Sequence, residues 1–182
     1  MFKYKQPRRL FSPRFFLRTI WKSSIVIILI MLLLYNLPLV PMLTLIEGDS
    51  GKILLRIPVN GNDHFSIEYI HSIHKTPVID TFYIDSNQNI VVDQTTFDTY
   101  GVGMPSDVEK GETFTIKNGK FVLNHLNRVL PYFDMRVGQV IANHQFIVHQ
   151  RKIPLAKLTR PGNWVRFKVQ KLSLLQLMKG GS

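Results

Sequence analysis

Residues 25–34 form an unbroken apolar run, Ile-Val-Ile-Ile-Leu-Ile-Met-Leu-Leu-Leu, and no charged residue occurs from position 23 to position 46. A segment that is apolar on every face, rather than along one stripe, predicts a membrane-crossing helix. From about residue 21 to 40 such a helix rises roughly 30 Å, the thickness of a bilayer's hydrocarbon layer. Nine Ile, Leu or Val residues lie in the run. Each favours insertion by roughly 0.3–0.6 kcal/mol, so together they outweigh Asn36 near the far end. Pro38 and Pro41 mark where the helix stops, because proline removes a donor and crowds the preceding turn.

Past residue 48 the pattern changes to alternation punctuated by turn residues, which predicts antiparallel strands. The expected strands are 52–59, 64–71, 77–85, 89–96, 113–117, 120–123, 133–137, 145–150 and 164–169. Asn118-Gly119 between two extended runs predicts a type I′ hairpin. Asn60-Gly61-Asn62 and the stretch 86–89 supply further turns. Residues 124–130 read as a short helical turn ending at Pro131, and 172–178 as a partly amphipathic segment. The predicted fold is all-β: a compact antiparallel sandwich or partly open barrel, preceded by one N-terminal transmembrane helix. The expected organisation is a basic cytoplasmic tail (1–20), a signal anchor (21–42), an extracytoplasmic β domain (48–170) and a basic C-terminal tail (171–182).

Charge gives the anchor a direction. The chain carries 23 Lys and Arg against 12 Asp and Glu, a balance that taken globally suggests a nucleic-acid binder. Its distribution argues otherwise. Seven of the cations lie in the first 22 positions with no acid among them, residues 47–150 hold 8 basic and 12 acidic residues, and residues 151–182 hold 8 basic and none acidic. Cations flanking a first apolar segment stay inside, which places the β domain outside the cell membrane. No small-residue cleavage site follows the apolar run, so an uncleaved single-pass anchor is expected rather than a signal peptide. The absence of cysteine excludes disulfides, a lipoprotein anchor, thiolate-zinc sites and thiol catalysis.

Chemistry concentrates between Tyr69 and Phe82. Strand geometry puts Ile67, Tyr69 and His71 on one face of one strand and Val78, Asp80 and Phe82 on one face of the next. If both faces look inward, Asp80 approaches His71 or Tyr69 in an apolar setting, either as a polar network fixing the hairpin or as a ligand- or partner-contacting site. The candidate binding residues are Tyr69, His71, Ser72, Pro77 and Asp80, with Gly101, Gly103 and Pro105 in a tight turn flanked by Tyr100 and Met104. No catalytic set is expected. His71 and Ser72 are neighbours that point to opposite faces of a strand, and no Gly-x-Ser-x-Gly elbow occurs. His71, His74 and Asp80 match no strong metal spacing, so neither a metal nor another cofactor is expected.

The run from Phe65 to Ser72, then Thr76 to Phe82, then Gly101-Val102-Gly103-Met104-Pro105, resembles a small bacterial family catalogued as domain of unknown function eighteen-fifty. The shared pattern is Tyr-x-His-Ser, Pro-Val-x-acid-x-aromatic and Gly-x-Gly-x-Pro, with Val102 and Met104 in place of the expected Ala and Leu. The resemblance covers about residues 50–170. It implies an anchored extracytoplasmic accessory subunit of a TAXI-type TRAP secondary transporter, assisting receptor–permease docking or solute handover. The implied partners are the membrane, a TAXI-type solute receptor and a TRAP permease, with no nucleic acid. The competing reading from the residues is a stand-alone small-ligand or metal-binding envelope module; a hydrolase would need a nucleophile arrangement that the sequence lacks.

Overall fold

Past residue 40 the described residues form eleven strands, most of which bury at least one side against a facing sheet while each bonds its backbone to its neighbours. A computed structural model describes residues 13–99, 101, 108–139 and 141–179, with side chains from Trp21 to Met178. Two units result, Val40–Leu172 and the helical segments before and after it in sequence.

In the first unit the strands are β1 (Val40–Glu47), β2 (Ile53–Pro58), β3 (His64–Ile70), β4 (Pro77–Ile84), β5 (Ile90–Phe97), β6 (Thr113–Lys117), β7 (Lys120–Leu130), β8 (Tyr132–Arg136), β9 (Gln145–Val148), β10 (Arg151–Pro154) and β11 (Trp164–Leu172). They make two antiparallel sheets, β2-β1-β11-β8 and β10-β9-β3-β4-β5-β7-β6. This is a sandwich, with no closed barrel. The core lies between the sheets. Phe133 and Phe167 face each other across β8 and β11 at 4.7 Å, Phe65 stacks on Phe82 at 4.9 Å, Phe82 stacks on Phe133 at 5.0 Å, and Phe146 meets Phe167 edge-on at 5.6 Å. Leu43 and Leu45 of β1 and Ile67 of β3 complete the same buried cluster.

Glu47 ties the end of β1 to distant loops. Its carboxylate accepts from Ser50 Oγ at 2.5 Å, from Thr159 Oγ1, and from Asn163 Nδ2 at 3.1 Å. Those bonds hold its carboxyl down at about 2, from an ordinary 4.5. Beside it Trp164 lies flat on Gly48, where a Cβ would fall 1.8 Å from the indole, and donates to Asp49 Oδ1 at 2.9 Å. Glycine is required there by contact rather than by backbone angle.

The second unit holds helix α1 (Pro13–Asn36) and α2 (Leu174–Lys179). Ser173 and Gln176 cap α2 reciprocally, Ser173 N–H donating to Gln176 Oε1 at 2.9 Å and Gln176 N–H to Ser173 Oγ at 3.2 Å, the capping-box arrangement. Among the described residues no helix is long and apolar enough to cross a membrane.

Four expectations change. Residues 40–42, assigned to the anchor, open β1, whose apolar residues are buried on both faces and so show no alternation. Residues 145–150 are not one strand but β9 followed by the two-residue turn that leads into β10 at Arg151. Residues 124–130 are not helical; they continue β7 through an irregularity where His125 and Asn127 take φ of 58° and 47°. Leu172 ends β11 instead of lying in the tail. The Asn118-Gly119 hairpin forms, with φ of 53° and 78° and Lys117 opposite Lys120.

Replacing Phe167 with Ala removes the ring shared by both sheets, and should cost about 3–5 kcal/mol. Ile116→Ala on the exposed strand β6 should stay within about 0.5 kcal/mol. Denaturant titration followed by tryptophan fluorescence separates the two; equal losses would contradict the assigned core. For Glu47, the carboxylate contribution is complete above pH 4.5 and is lost as pH falls toward about 2. Glu47→Gln should therefore flatten the acid limb of a stability–pH curve in that window, and an unchanged limb would refute the role.

Candidate functional site

Strands β3 and β4 form a hairpin in which Ile70 faces Pro77, Tyr69 faces Val78 and Ile67 faces Asp80. Pro77 opens β4, where its missing N–H costs little. Residues 71–76 make the tip: His71 N–H donates to Thr76 O at 2.9 Å and Lys75 N–H to His71 O at 2.9 Å. Lys75 takes φ of 57° and its ammonium bonds Ser72 O. His71 turns back on this loop. Its Nδ1 accepts from Ile73 N–H at 3.3 Å and His74 N–H at 3.2 Å, leaving Nε2 as the free ring nitrogen of that edge. The His71 and His74 rings stack at 4.7 Å. Gly101 approaches the same ring: at φ of 145°, its Cβ would lie 3.1 Å from His74 Cε1.

Asp80 points into the sandwich, in one cross-strand row with Ile67, Phe146 and Thr95. Thr95 Oγ1 donates to Asp80 Oδ1 at 2.8 Å. Burial nevertheless pushes the carboxyl above its ordinary range, and the single hydroxyl only partly opposes it. One row further toward the tip, Tyr69 is pushed up to about 12, first by burial and second by the negative charge of Asp80. Its ring lies 5.5 Å from that of His144. Burial pushes the His144 imidazole down, and its Nδ1 accepts from Gly138 N–H at 3.0 Å, so the neutral ring carries its proton on Nε2. The loop bearing His144 is stitched to β3 by Ile70 N–H donating to Ala142 O at 2.8 Å. Gly138 permits that loop to close, since a Cβ there would fall 2.4 Å from Ala142 Cβ.

The sequence-predicted residues thus divide. Tyr69 and Asp80 share the inner face, while His71, Ser72 and Gly101 belong to the tip; Asp80 faces Tyr69 and Thr95 rather than His71. Gly103 and Pro105, with Tyr100 and Met104 beside them, lie outside the described residues. Thr95 and His144 were missed. Thr95 was visible only as a hydroxyl on the same strand face as Phe97, and His144 carried no local signal. Among the described residues no group of three or more His, Asp or Glu side chains is placed to hold a metal ion. The cluster offers a half-buried acid, a phenol and a neutral imidazole: hydrogen-bonding groups in an apolar setting.

A family model described as "Domain of unknown function (DUF1850)" matches residues 65–155, half of the chain. The chain belongs to this family. The DUF1850 match takes in β3 to β10, hence the whole seven-stranded sheet and the hairpin tip, and leaves β1, β2 and β11 outside. No curated protein and no solved structure matches the chain.

The raised Asp80 carboxyl sets a pH dependence. A folded state that binds the proton more tightly than the unfolded chain loses stability as pH rises through the folded value, and keeps it below the unfolded one. Asp80→Asn retains an acceptor for Thr95 and carries no charge. It should therefore raise the denaturation midpoint at pH 7, and the gain should vanish near pH 3.5, below the ordinary carboxyl value of 3.8. A loss of stability at pH 7 would show that the carboxylate is stabilising.

Proposed function

We propose that the chain is a membrane-anchored extracytoplasmic accessory subunit of a TAXI-type TRAP secondary transporter, held in the cell membrane by one pass with its N-terminus inside. The observation that carries the anchor is the uncharged stretch after seven cations. With β1 starting at Val40, the crossing segment ends before residue 40, and three residues link α1 to the sandwich. In this reading the β domain works at the outer membrane surface, where a permease and its solute receptor meet. The transporter assignment rests on the likeness of the Tyr69–Ser72, Pro77–Phe82 and Gly101–Pro105 motifs to the family.

In this reading the hairpin tip is the contact. Ser72 and Ile73 are exposed at its apex, and the Asp80–Thr95 bond behind them braces strands β4 and β5. The tip assists receptor–permease docking or solute handover and performs no chemistry of its own. The half-buried Asp80, Tyr69 and His144 favour a second reading, a stand-alone envelope module that binds a small ligand.

Affinity purification of the tagged full-length chain should recover a TAXI-type permease or receptor. Ser72→Trp, placed on an exposed turn, should diminish that recovery without changing the melting temperature. Normal solute uptake in a deletion strain together with no association removes the transporter reading, and protection of the β domain from protease added to spheroplasts removes the outward anchor.

A further inference from the structure

On the outer face of the seven-stranded sheet, strands β5, β7 and β6 bound a trough of about 480 Å³. Thr95 meets Asp80 on the inner face, and Leu123 stands opposite Thr95 in the β5–β7 register. The alternate residues, Gln94 and Thr96 of β5 with Val122 and Asn124 of β7, therefore face outward. Thr96, Val122 and Thr115 share one cross-strand row and form the floor, where Val122 is only 7% exposed although its side of the sheet is the outer one. Longer side chains in the rows on either side form the banks: Gln94 and Asn124 on one, Lys120 and Lys117 on the other. Among the described residues no acidic side chain lines the trough.

Both banks hold bonding capacity in reserve. Gln94 and Asn124 stand opposite each other in register, yet each carboxamide donates to a threonine instead: Gln94 Nε2 to Thr96 Oγ1 at 2.9 Å and Asn124 Nδ2 to Thr115 Oγ1 at 3.3 Å. Those bonds orient both amides, and neither carbonyl oxygen has a partner among the described residues. On the other bank Lys117 faces Lys120, like charges directly opposite, an arrangement that costs stability. Asp98 Oδ1, 3.1 Å from Lys120 Nζ, offsets one of them, while the Lys117 ammonium has no described partner. An edge lysine pair by itself keeps a strand edge soluble. It does not account for two oriented amides across a nearly buried floor.

We propose that this trough binds an acidic saccharide. Its carboxylate meets the Lys117 ammonium in a charge-assisted bond and relieves the repulsion between the two lysines. Its hydroxyls donate to the Gln94 and Asn124 carbonyl oxygens, and the C–H face of the sugar ring lies on Val122. The volume falls within the range of small-ligand sites, about 300–1,000 Å³. The assignment stands apart from both readings above, since neither the anchor, the hairpin tip nor the Asp80 cluster enters it.

The probe is N-acetylmuramate, titrated into the full-length chain in nanodiscs of uncharged lipid and read by saturation-transfer difference NMR, with empty nanodiscs as the blank. N-acetylglucosamine has the ring without the carboxylate, and lactate the carboxylate without the ring. Both should bind at least about tenfold more weakly than N-acetylmuramate. Lys117→Gln, at an exposed position, should weaken N-acetylmuramate about tenfold with an unchanged melting temperature, and Asn124→Ala should weaken it on the opposite bank. Lys152→Gln, on the far edge of the same sheet, should leave binding as it was. Tighter binding of the disaccharide of N-acetylglucosamine and N-acetylmuramate than of the single sugar assigns the trough to a glycan chain, and equal affinity assigns it to a free sugar acid; either upholds the class. No binding of N-acetylmuramate at millimolar concentration, equal binding of N-acetylglucosamine or of lactate, or an unchanged affinity in Lys117→Gln would overturn the assignment. Co-purification with a permease is unaffected by any of these outcomes, so the two proposals fail separately.

Discussion

Five phenyl rings, contributed by β3, β4, β8, β9 and β11, hold the two sheets together. Aromatic side chains bury about 150–250 Å² each and add geometric preference to that burial. Phe167 touches three of the other rings closely enough to count as core contacts: Phe133 beside it, Phe146 edge-on and Phe65 at 6.3 Å. Because side chains alternate with a period of two, fixing Phe65 and Phe82 inward also fixes Ile67, Tyr69 and Asp80 inward. A slip of one residue would turn the acid and the phenol outward and expose the rings. The position of the polar cluster is thus a consequence of the core, not a separate decision of the hairpin.

The unequal sheets account for the rest of the architecture. Four strands face seven, and neither β6 nor β7 contributes to the main core. The β6–β7 hairpin instead gathers its own aromatic group, Phe97, Phe114 and Phe121, with Phe97 and Phe121 5.5 Å apart. Strand β6 is exposed along its whole length, and its Thr and Lys residues suit an edge facing water. At the opposite edge, β2 and β10 leave the sandwich open over an apolar floor.

Much of this was legible where one face of an element is buried and the other wet. Residues 64–70 and 77–84 alternate, and the strands there match the pattern closely. Legibility failed where both faces are buried or where backbone geometry departs from local preference. In β1, Met42 and Thr44 are as buried as Leu43 and Leu45, so the segment reads as a continuation of the apolar run before it. The His149-Gln150 turn has neither Asn nor Gly to announce it. Of the polar cluster, Tyr69 and Asp80 were found because they lie on one hairpin. Thr95 needed the β4–β5 register, and His144 reaches Tyr69 from a loop more than seventy residues further along the chain, a pairing that no sequence spacing encodes.

Asp80 sits where packing alone would favour a branched apolar residue. Its neighbours in the row are Ile67 and Phe146, and its described hydrogen bond is to a single neutral hydroxyl. One neutral bond returns about 1 kcal/mol, whereas burying an incompletely paired carboxylate costs several, which is why the carboxyl drifts toward its neutral form. A network whose purpose was to stiffen the hairpin would supply a second donor or a cation. What Asp80, Tyr69 and His144 have in common instead is retained hydrogen-bonding capacity: acceptor oxygens on the acid, a phenolic O–H and an imidazole Nε2–H, set on the inner face one or two rows behind an exposed tip. Capacity of this kind, kept at a cost to stability, is what the small-ligand reading proposed above requires.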